Sequence, residues 1–572
     1  MIPLIVGVTS HRDIAAGEIE PVRARVREFF ERLQREFPQM PLVVLSALAE
    51  GGDQLVAGEA LAAGARLVAP LPLPPDLYVE DFSTAVVRER FEALCARAEV
   101  VQLPLLKGHS RHTIGSDGPP RDRHYAQAGV YIASHCHILL AIWNGRDSHR
   151  LGGTAQIVKY HFSGLLPGLI ERHPGARQVL GGGDERLLYH IVCSRQAADG
   201  SVESGLAPLE TLWRTAEGTA PASAMPEDYR LLFTRMADFN LDCRRYGCGP
   251  EGAESAGTGE SARTGASAAA GEARADIPTV ESVFKAADFL AIHFQRRVLL
   301  AMRTTYTLAA LMGIAFAFYS HLEEQNSLIY LFLALFACGG FVAVLAHRNG
   351  WHRKYLDYRA LAEGLRVQSY WRRAGITAAI EHEFFHDNFL QRQNIELGWI
   401  RNIMRAASLY PPPKPATGAL TEVIREWVGE SGRSGQLDYF ERKTAERTGV
   451  HRITETIGGI SLWGGIAISV FLALFALRLA PETKTTLVMI MAVLSIVAAV
   501  REAYAHRKAD KELIRQYRFM QRIFRAARAA LDRTDEPAEQ RAILLALGDA
   551  ALTEHAEWTL MHRERHVEHS KL

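Results

Sequence analysis

The sequence predicts an α/β N-terminal domain, a doubly wound parallel sheet of Rossmann-like order. An all-α membrane region follows, with four transmembrane helices and cytoplasmic helices. Three observations predict this. Residues 1–245 alternate short apolar runs with charged amphipathic stretches. Four long uncharged runs, arranged as two pairs, lie between residues 304 and 500. Between these regions, residues 249–275 are rich in Gly, Ala, Ser and Glu and have no apolar period. A chain of 572 residues has room for three or four domains. The expected boundaries are 1–248 for the α/β domain, 249–276 for a flexible linker, 277–410 for a first two-span module and 411–572 for a second.

Taken in order, Leu4–Val8 reads as a buried strand and Glu18–Phe37 as an amphipathic helix. Leu42–Leu45 and Arg66–Leu71 are the next strands, with a helix over Gln54–Ala63 between them. Phe82–Ala98 reads as a helix, Ile138–Trp143 as a fourth strand, and Gly153–His161 opens another helix. Leu187–Val192 is a further apolar strand. Strand–helix alternation at this spacing favours a parallel sheet with helices on both faces.

In the second region, Thr304–Ser320 and Asn326–Ala346 carry no charge and are joined by the short polar turn His321–Gln325. Thr456–Leu477 and Thr485–Val500 repeat the pattern around Arg478–Lys484. A helix of about 20 apolar residues crosses a bilayer core, so each pair reads as a hairpin that enters and leaves on one side. The competing reading is a pair of helices buried in a large soluble core. Arg296, Arg297 and Arg303 precede the first hairpin, and Arg348, Arg353, Lys354 and Arg359 follow it. Arg442, Lys443, Arg447 and Arg452 precede the second, and Arg501, Arg507, Lys508 and Lys511 follow it. The positive-inside rule places both hairpin bases and the soluble segments in the cytoplasm of a bacterial inner membrane protein. Met1–Val8 is too short for a signal peptide, in keeping with a cytosolic N-terminal domain.

Charge is balanced, with 65 basic and 64 acidic residues, which argues against nucleic acid as a partner. The six cysteines form no CxxC pair, so neither a disulfide framework nor a zinc knuckle is expected. His135 and His137 would share a face on a strand, but no third ligand accompanies them. His382-Glu383-Phe384-Phe385-His386 fits the zincin pattern HExxH. Its flanks supply no third ligand at the usual spacing, and an amphipathic helix with an aromatic core edge explains it as well.

Parallel α/β sheets bind ligands beyond the carboxyl ends of their strands. Three such ends carry glycine-containing loops. The first offers Gly7, Thr9, Ser10, His11 and Arg12. The second offers Ser46, Glu50, Gly51 and Asp53. The third offers Trp143 and Gly145, closed by Gly152, Gly153 and Thr154 at a helix start. Glycines let a backbone approach a ligand, helix N-terminal amides favour phosphate, and Arg12 can grip phosphate bidentately; the competing reading is that the glycines only make tight turns. Arg195, just past the Leu187–Val192 strand, reads equally as a further phosphate contact and as an ordinary strand-end charge.

Gly7-Val8-Thr9-Ser10-His11-Arg12, Leu48-Ala49-Glu50-Gly51-Gly52-Asp53-Gln54-Leu55-Val56, and Ala141-Ile142-Trp143-Asn144-Gly145 with Gly152-Gly153-Thr154 resemble the SLOG family over residues 1–200. These are Rossmann-like nucleotide-sensor domains related to the LOG-type phosphoribohydrolases. The resemblance implies a nucleotide or NAD-derived signal in a pocket lined by Thr9, His11, Arg12, Glu50, Asp53, Trp143 and Thr154. Ser10 stands where a glycine is usual, and Gln156 stands where the LOG enzymes carry a catalytic Glu. A glutamine cannot act as a carboxylate base, which shifts the expectation from hydrolysis toward binding.

The first hairpin and its trailing helix, with Tyr358-Arg359-Ala360-Leu361-Ala362-Glu363-Gly364-Leu365-Arg366, resemble the SLATT family of two-span membrane effectors. That resemblance implies a homo-oligomeric pore or membrane-disrupting effector in antiphage defence. His347-Arg348, Tyr358-Arg359 and Arg366 recur at the same spacing as His506-Arg507, Tyr517-Arg518 and Arg525, as duplication of one two-span unit would leave them. A water-filled path would need several chains, with Thr305, Thr307, Ser320 or Ser469 as mild polar lining. The combined expectation is a nucleotide-sensing membrane effector with no catalytic residue, metal or resident cofactor. The alternatives are a membrane-anchored nucleotide hydrolase using Glu50 or Asp53, and a metalloprotease at His382 and His386.

Overall fold

Runs rich in Val, Ile and Leu become the strands of one sheet. The computed structural model describes residues 1–148, 150–170, 186–197, 200–216, 222–248, 278–321, 327–376, 389–390, 395–410, 415–508 and 510–567. The expected linker and the HExxH segment lie outside the described residues. The N-terminal elements are β1 (Leu4–Ser10), α1 (Ile19–Glu36), β2 (Leu42–Leu45), α2 (Gly52–Ala62), β3 (Arg66–Leu71), α3 (Pro75–Tyr78) and α4 (Ala85–Cys95). After them come β4 (Glu99–Gln102), α5 (Pro119–His135), β5 (Ile138–Trp143), α6 (Thr154–Ser163), β6 (Leu187–Val192), β7 (Thr211–Thr215) and α7 (Glu227–Arg245). The sheet order is β4-β3-β2-β1-β5-β6-β7. Every pairing is parallel except β6 with β7.

Both faces of the sheet are covered, for a reason visible in β1. Positions 7 and 10 point to opposite faces of a strand. A Cβ on Gly7 would meet Ile132 and Cys136 at the end of α5, whereas Ser10 abuts Gly52 of α2. Helices therefore pack on each side, and β5 and β6 are buried along their length. On α1, Val22, Val26, Phe29, Phe30 and Leu33 recur every three or four residues and are buried, with Phe29 stacked on Tyr189 of β6 at 4.4 Å.

The strands read from sequence are present, but β4, β7, α5 and α7 were not anticipated. β4 and β7 are short edge strands with mixed polarity. His135 is the last residue of α5 rather than part of a strand. Its Nδ1 faces the Tyr131 carbonyl at 2.8 Å, while His137 receives the Ile5 amide on Nδ1 and faces the Asn402 carbonyl through Nε2 at 3.0 Å. The two imidazoles serve backbone groups in different elements, so the shared-face expectation does not hold. Burial pushes the His137 pKa down to about 4.

The rest of the chain is helical: α8 (Val280–Tyr319), α9 (Ser327–Arg348), α10 (Trp351–Arg373), α11 (Gly398–Ala407), α12 (Ala419–Val423) with a π turn at Ile424–Val428, α13 (Gly435–Phe475), α14 (Pro481–Lys508), α15 (Asp510–Leu531) and α16 (Pro537–Val567). Two compact units result. One holds Met1–Ala286 with Glu363–Ser369 and Thr377–Pro413; the other holds Ala287–Ala362, Tyr370–Ile376 and Lys414–Leu572. In the first unit every residue of α11 is buried, and the Tyr131 hydroxyl donates to the Leu409 carbonyl just beyond it.

Among the described residues, α8, α9, α13 and α14 each hold a stretch long and apolar enough to cross a membrane. Their apolar windows are only 6, 0, 17 and 0% buried within the chain, which speaks against the soluble-core reading. Phe336, Phe341, Ile460, Trp463 and Leu474 all point outward. Such a surface marks a membrane protein.

Two breaks interrupt the helical path of the second region. The stretch from His347 to Arg373 divides at Asn349-Gly350, where Gly350 adopts φ +59°. Between the π turn and α13 the chain turns at Gly429, where a Cβ would lie 2.0 Å from the Ser434 carbonyl oxygen. The repeated motifs occupy matching places. His347-Arg348 ends α9 and His506-Arg507 lies at the end of α14, while Tyr358 and Tyr517 lie on α10 and α15. Tyr358 packs on Phe294 of α8 at 5.7 Å, and Tyr517 packs on Phe440 of α13 at 5.9 Å.

Candidate functional site

The sheet order reverses between β1 and β5, and a crevice at such a point is where parallel α/β sheets bind ligands. The chain leaves β1 through Ser10–Asp13 and leaves β5 through Asn144-Gly145. These exits are stitched together. The His11 amide donates to the Ile142 carbonyl at 3.0 Å. His11 Nε2 lies 3.0 Å from Asn144 Oδ1 and 3.3 Å from the Asn144 amide. Burial holds the His11 pKa below the usual imidazole value, so the ring bridges the two loops in its neutral form at neutral pH.

The second loop presses against the first. Gly51 has φ +90°, and a Cβ there would lie 2.2 Å from the Arg12 carbonyl oxygen. The Gly52 amide donates to the His11 carbonyl at 3.2 Å. These glycines are thus required by the contact of two loops. Asp53, in the first turn of α2, is buried and accepts from Ser10 Oγ at 2.5 Å. Burial pushes its pKa up to about 7, against the opposing effects of the Ser10 hydroxyl, the Arg12 charge and the Ala49 backbone.

The other expected residues gather at the same end of the sheet in supporting positions. Gly7 makes room for α5, and Thr9 is buried. Ser46 Oγ accepts from the Leu48 amide at 3.1 Å, in a turn where Leu48 itself has φ +56°. Glu50 accepts from the Ser83 amide at 3.2 Å and from its hydroxyl. The Trp143 indole donates to the Arg146 carbonyl at 3.0 Å. Gly145 has φ +85° against Glu203 and Leu206, and Gly152 has φ +75° against Ala126. Gly153 caps α6 and Thr154 is buried at its first position. Arg195 pairs with Asp13 at 2.9 Å.

A cavity of about 640 Å³ opens beside this cluster, and of the expected residues it is lined only by Arg12. Its other walls are Glu80, Asp81, Gly115, Asp117, Gly118, Arg121, Asp122, Tyr125 and Arg150. The Arg12 guanidinium lies over the Tyr125 ring, 5.6 Å from its centroid. Arg121 donates to Asp81 at 2.7 Å, to the Ile114 carbonyl at 2.7 Å and to the Leu77 carbonyl at 3.0 Å. The Tyr125 hydroxyl donates to the second Asp81 oxygen. Partial burial raises the Asp81 pKa, and Arg121 opposes that rise. Arg121 is therefore committed to the wall. Among the described residues Arg12 and Arg150 form no ion pair, and both guanidinium groups line the cavity, Arg12 over the Tyr125 ring.

The helix end beside the cavity contributes less than its position implies. Pro119 and Pro120 occupy the first positions of α5 and carry no N–H. An anion here would rest on the guanidinium groups more than on helix amides. Glu80 and Asp122 can accept from hydroxyl or amino groups of the same ligand. Arg121, Tyr125, Asp81 and Arg150 were missed in the sequence. The Pro119-Pro120 pair is a helix-start signal that would have put Arg121 and Tyr125 one turn apart on one face. No family model, no curated protein and no solved structure matches this chain.

Proposed function

We propose that the chain is a membrane effector switched by a nucleotide-type signal, with a Rossmann-like reader in the first unit and membrane-spanning hairpins in the second. The observation that carries this reading is the pair of guanidinium groups, Arg12 and Arg150, lining one cavity beside the point where the strand order reverses. They suit the phosphates of the ligand, while Glu80 and Asp122 suit its hydroxyl or amino groups. The resemblance of the β1, β2 and β5 loops to SLOG sensors, and of the first hairpin to SLATT effectors, supports the same reading. Both hairpin bases face the cytoplasm, and the working form is a homo-oligomer that renders the membrane leaky in antiviral defence. The ligand acts through its differential affinity for two arrangements of the chain.

Calorimetric titration of detergent-solubilised protein with cyclic nucleotides and NAD-derived messengers tests this. Arg12→Ala should weaken binding about 10- to 100-fold, the worth of a hydrogen bond to a charged group, while leaving the fold intact by circular dichroism. Unchanged affinity would remove Arg12 from the site. Product formation from the bound nucleotide would replace the sensor reading with that of a hydrolase.

A further inference from the structure

The last turn of α7 ends in a capping arrangement with an unusual pair of side chains. Gly247 adopts φ +65°, the left-handed conformation that closes many helices. The Cys248 amide donates to the Cys243 carbonyl at 3.0 Å, and the Gly247 amide reaches the Arg244 carbonyl at 3.4 Å. These two bonds define a Schellman motif, which places the side chain after the glycine against the one five residues earlier. An apolar pair normally meets there. Here both partners are cysteines, and the Cys248 thiol donates to the Cys243 carbonyl at 3.7 Å. Both are reduced. Cys243 is buried and Cys248 is half-buried.

We infer that Cys243 and Cys248 are a modification site, a dithiol that closes reversibly to a disulfide by exchange with a low-molecular-weight disulfide. The more accessible Cys248 attacks as the thiolate. One sulfur of the small disulfide bonds to Cys248, and the other leaves as a thiolate. Cys243 then loses its proton to that leaving thiolate and attacks the Cys248 sulfur. The internal disulfide forms, and the second small thiol departs and takes up the proton that Cys248 had given to solvent. The protein loses two electrons and the small disulfide gains them.

The surroundings support this division of labour. The neighbouring Cys243 thiol holds the Cys248 pKa below the ordinary thiol value, and Cys243 is shifted upward by the same contact. Burial pushes Cys136 and Cys193 up to about 12 and Cys95 up to about 11, which leaves them poor in thiolate. The pair also sits at a structural anchor. Asn240, one turn earlier on α7, accepts from the Ile2 amide and donates to the Ile2 carbonyl, both at 2.8 Å, just before β1 begins. A bond across the cap would lock the turn that holds the start of β1.

The test uses the full chain in detergent, incubated with oxidised glutathione, alkylated and digested with trypsin. Arg244 and Arg245 lie between the two cysteines, so the internal disulfide appears as a linked peptide pair that dithiothreitol separates. The wild-type chain should yield that pair and lose two alkylatable thiols. Cys243→Ser and Cys243→Ala should instead carry glutathione on Cys248, and Cys248→Ser should keep Cys243 free. Two variants at Cys243 guard against a folding defect at the buried position. A wild-type chain that keeps Cys248 as a free thiol, or holds glutathione there without forming the linked pair, would overturn the inference and leave two cysteines that merely fill a cap.

Discussion

The strands β1, β5 and β6 of the first unit are buried almost throughout, and its polar side chains are drawn inward with them. Ser46, Asp53, His137 and His190 are all under 9% exposed. The helix α9 of the second unit shows the reverse, with no buried residue and with Phe336 and Phe341 more than 60% exposed. In water the second pattern would be unstable, because large apolar patches favour burial at about 25 cal/mol per Å². Different solvents reconcile the two. Water surrounds the sheet unit, where buried polar atoms need partners, whereas lipid surrounds the spans, where apolar side chains need none.

Asp53 offers the largest expected effect on the sheet side of this contrast. Its pKa rises on folding from an ordinary carboxylate value to about 7, so the folded state binds the proton more tightly. That stabilisation is full below the unfolded pKa and is lost as pH rises through about 7. At about 1.4 kcal/mol for each tenfold change in proton affinity, the loss is on the order of 4 kcal/mol. Asp53→Asn should flatten this pH dependence and raise stability near pH 8, as measured by denaturant unfolding of the first unit across pH 4–8. A variant as pH-sensitive as the wild type would show that Asp53 is not the protonated group.

Phe336→Arg probes the other side. An exposed Phe→Arg change on a soluble protein shifts stability by about 0.5 kcal/mol or less. At the centre of a spanning helix the arginine costs about 3 kcal/mol. Membrane fractionation should therefore show a reduced inserted fraction. Normal insertion with normal thermal stability would mean that this face of α9 meets water.

A smaller effect sharpens the comparison between the two hairpins. Tyr358→Leu and Tyr517→Leu remove aromatic contacts of similar length, 5.7 Å to Phe294 and 5.9 Å to Phe440. Each should cost about 1 kcal/mol, and the two losses should match if the modules are duplicates. Thermal unfolding in detergent would read them out. A large effect in one and none in the other would argue for divergent roles.

The central strands and the four spans were legible because each reports a strong local signal. Continuous Val, Ile and Leu runs suit strands buried on both faces, and uncharged runs of about 20 residues suit a bilayer. The loops at the ends of β1, β2 and β5 were also legible as one cluster, but their roles were not. Gly51 and Gly52 look like ligand-facing glycines in sequence, yet they make room for the Arg12 carbonyl and the Ser10 side chain. Arg121 and Tyr125 went unread because the polar residues in the first turns of α5 give no apolar period. The packing of α11 within the first unit, more than 100 residues beyond the end of α7, has no local signature.

Composition and periodicity alone thus dictated a parallel α/β sheet and four membrane-competent helices, since both depend on how neighbouring residues meet their solvent. Three-dimensional packing chose which side chains border the cavity, which glycines are steric necessities and which carboxyl group has its pKa raised by burial. Those outcomes depend on contacts between residues far apart in the chain, such as Ser10 with Asp53, Arg12 with Tyr125 and Arg121 with Asp81. No short window of sequence contains both partners of any of these contacts, nor the burial that gives them their effect.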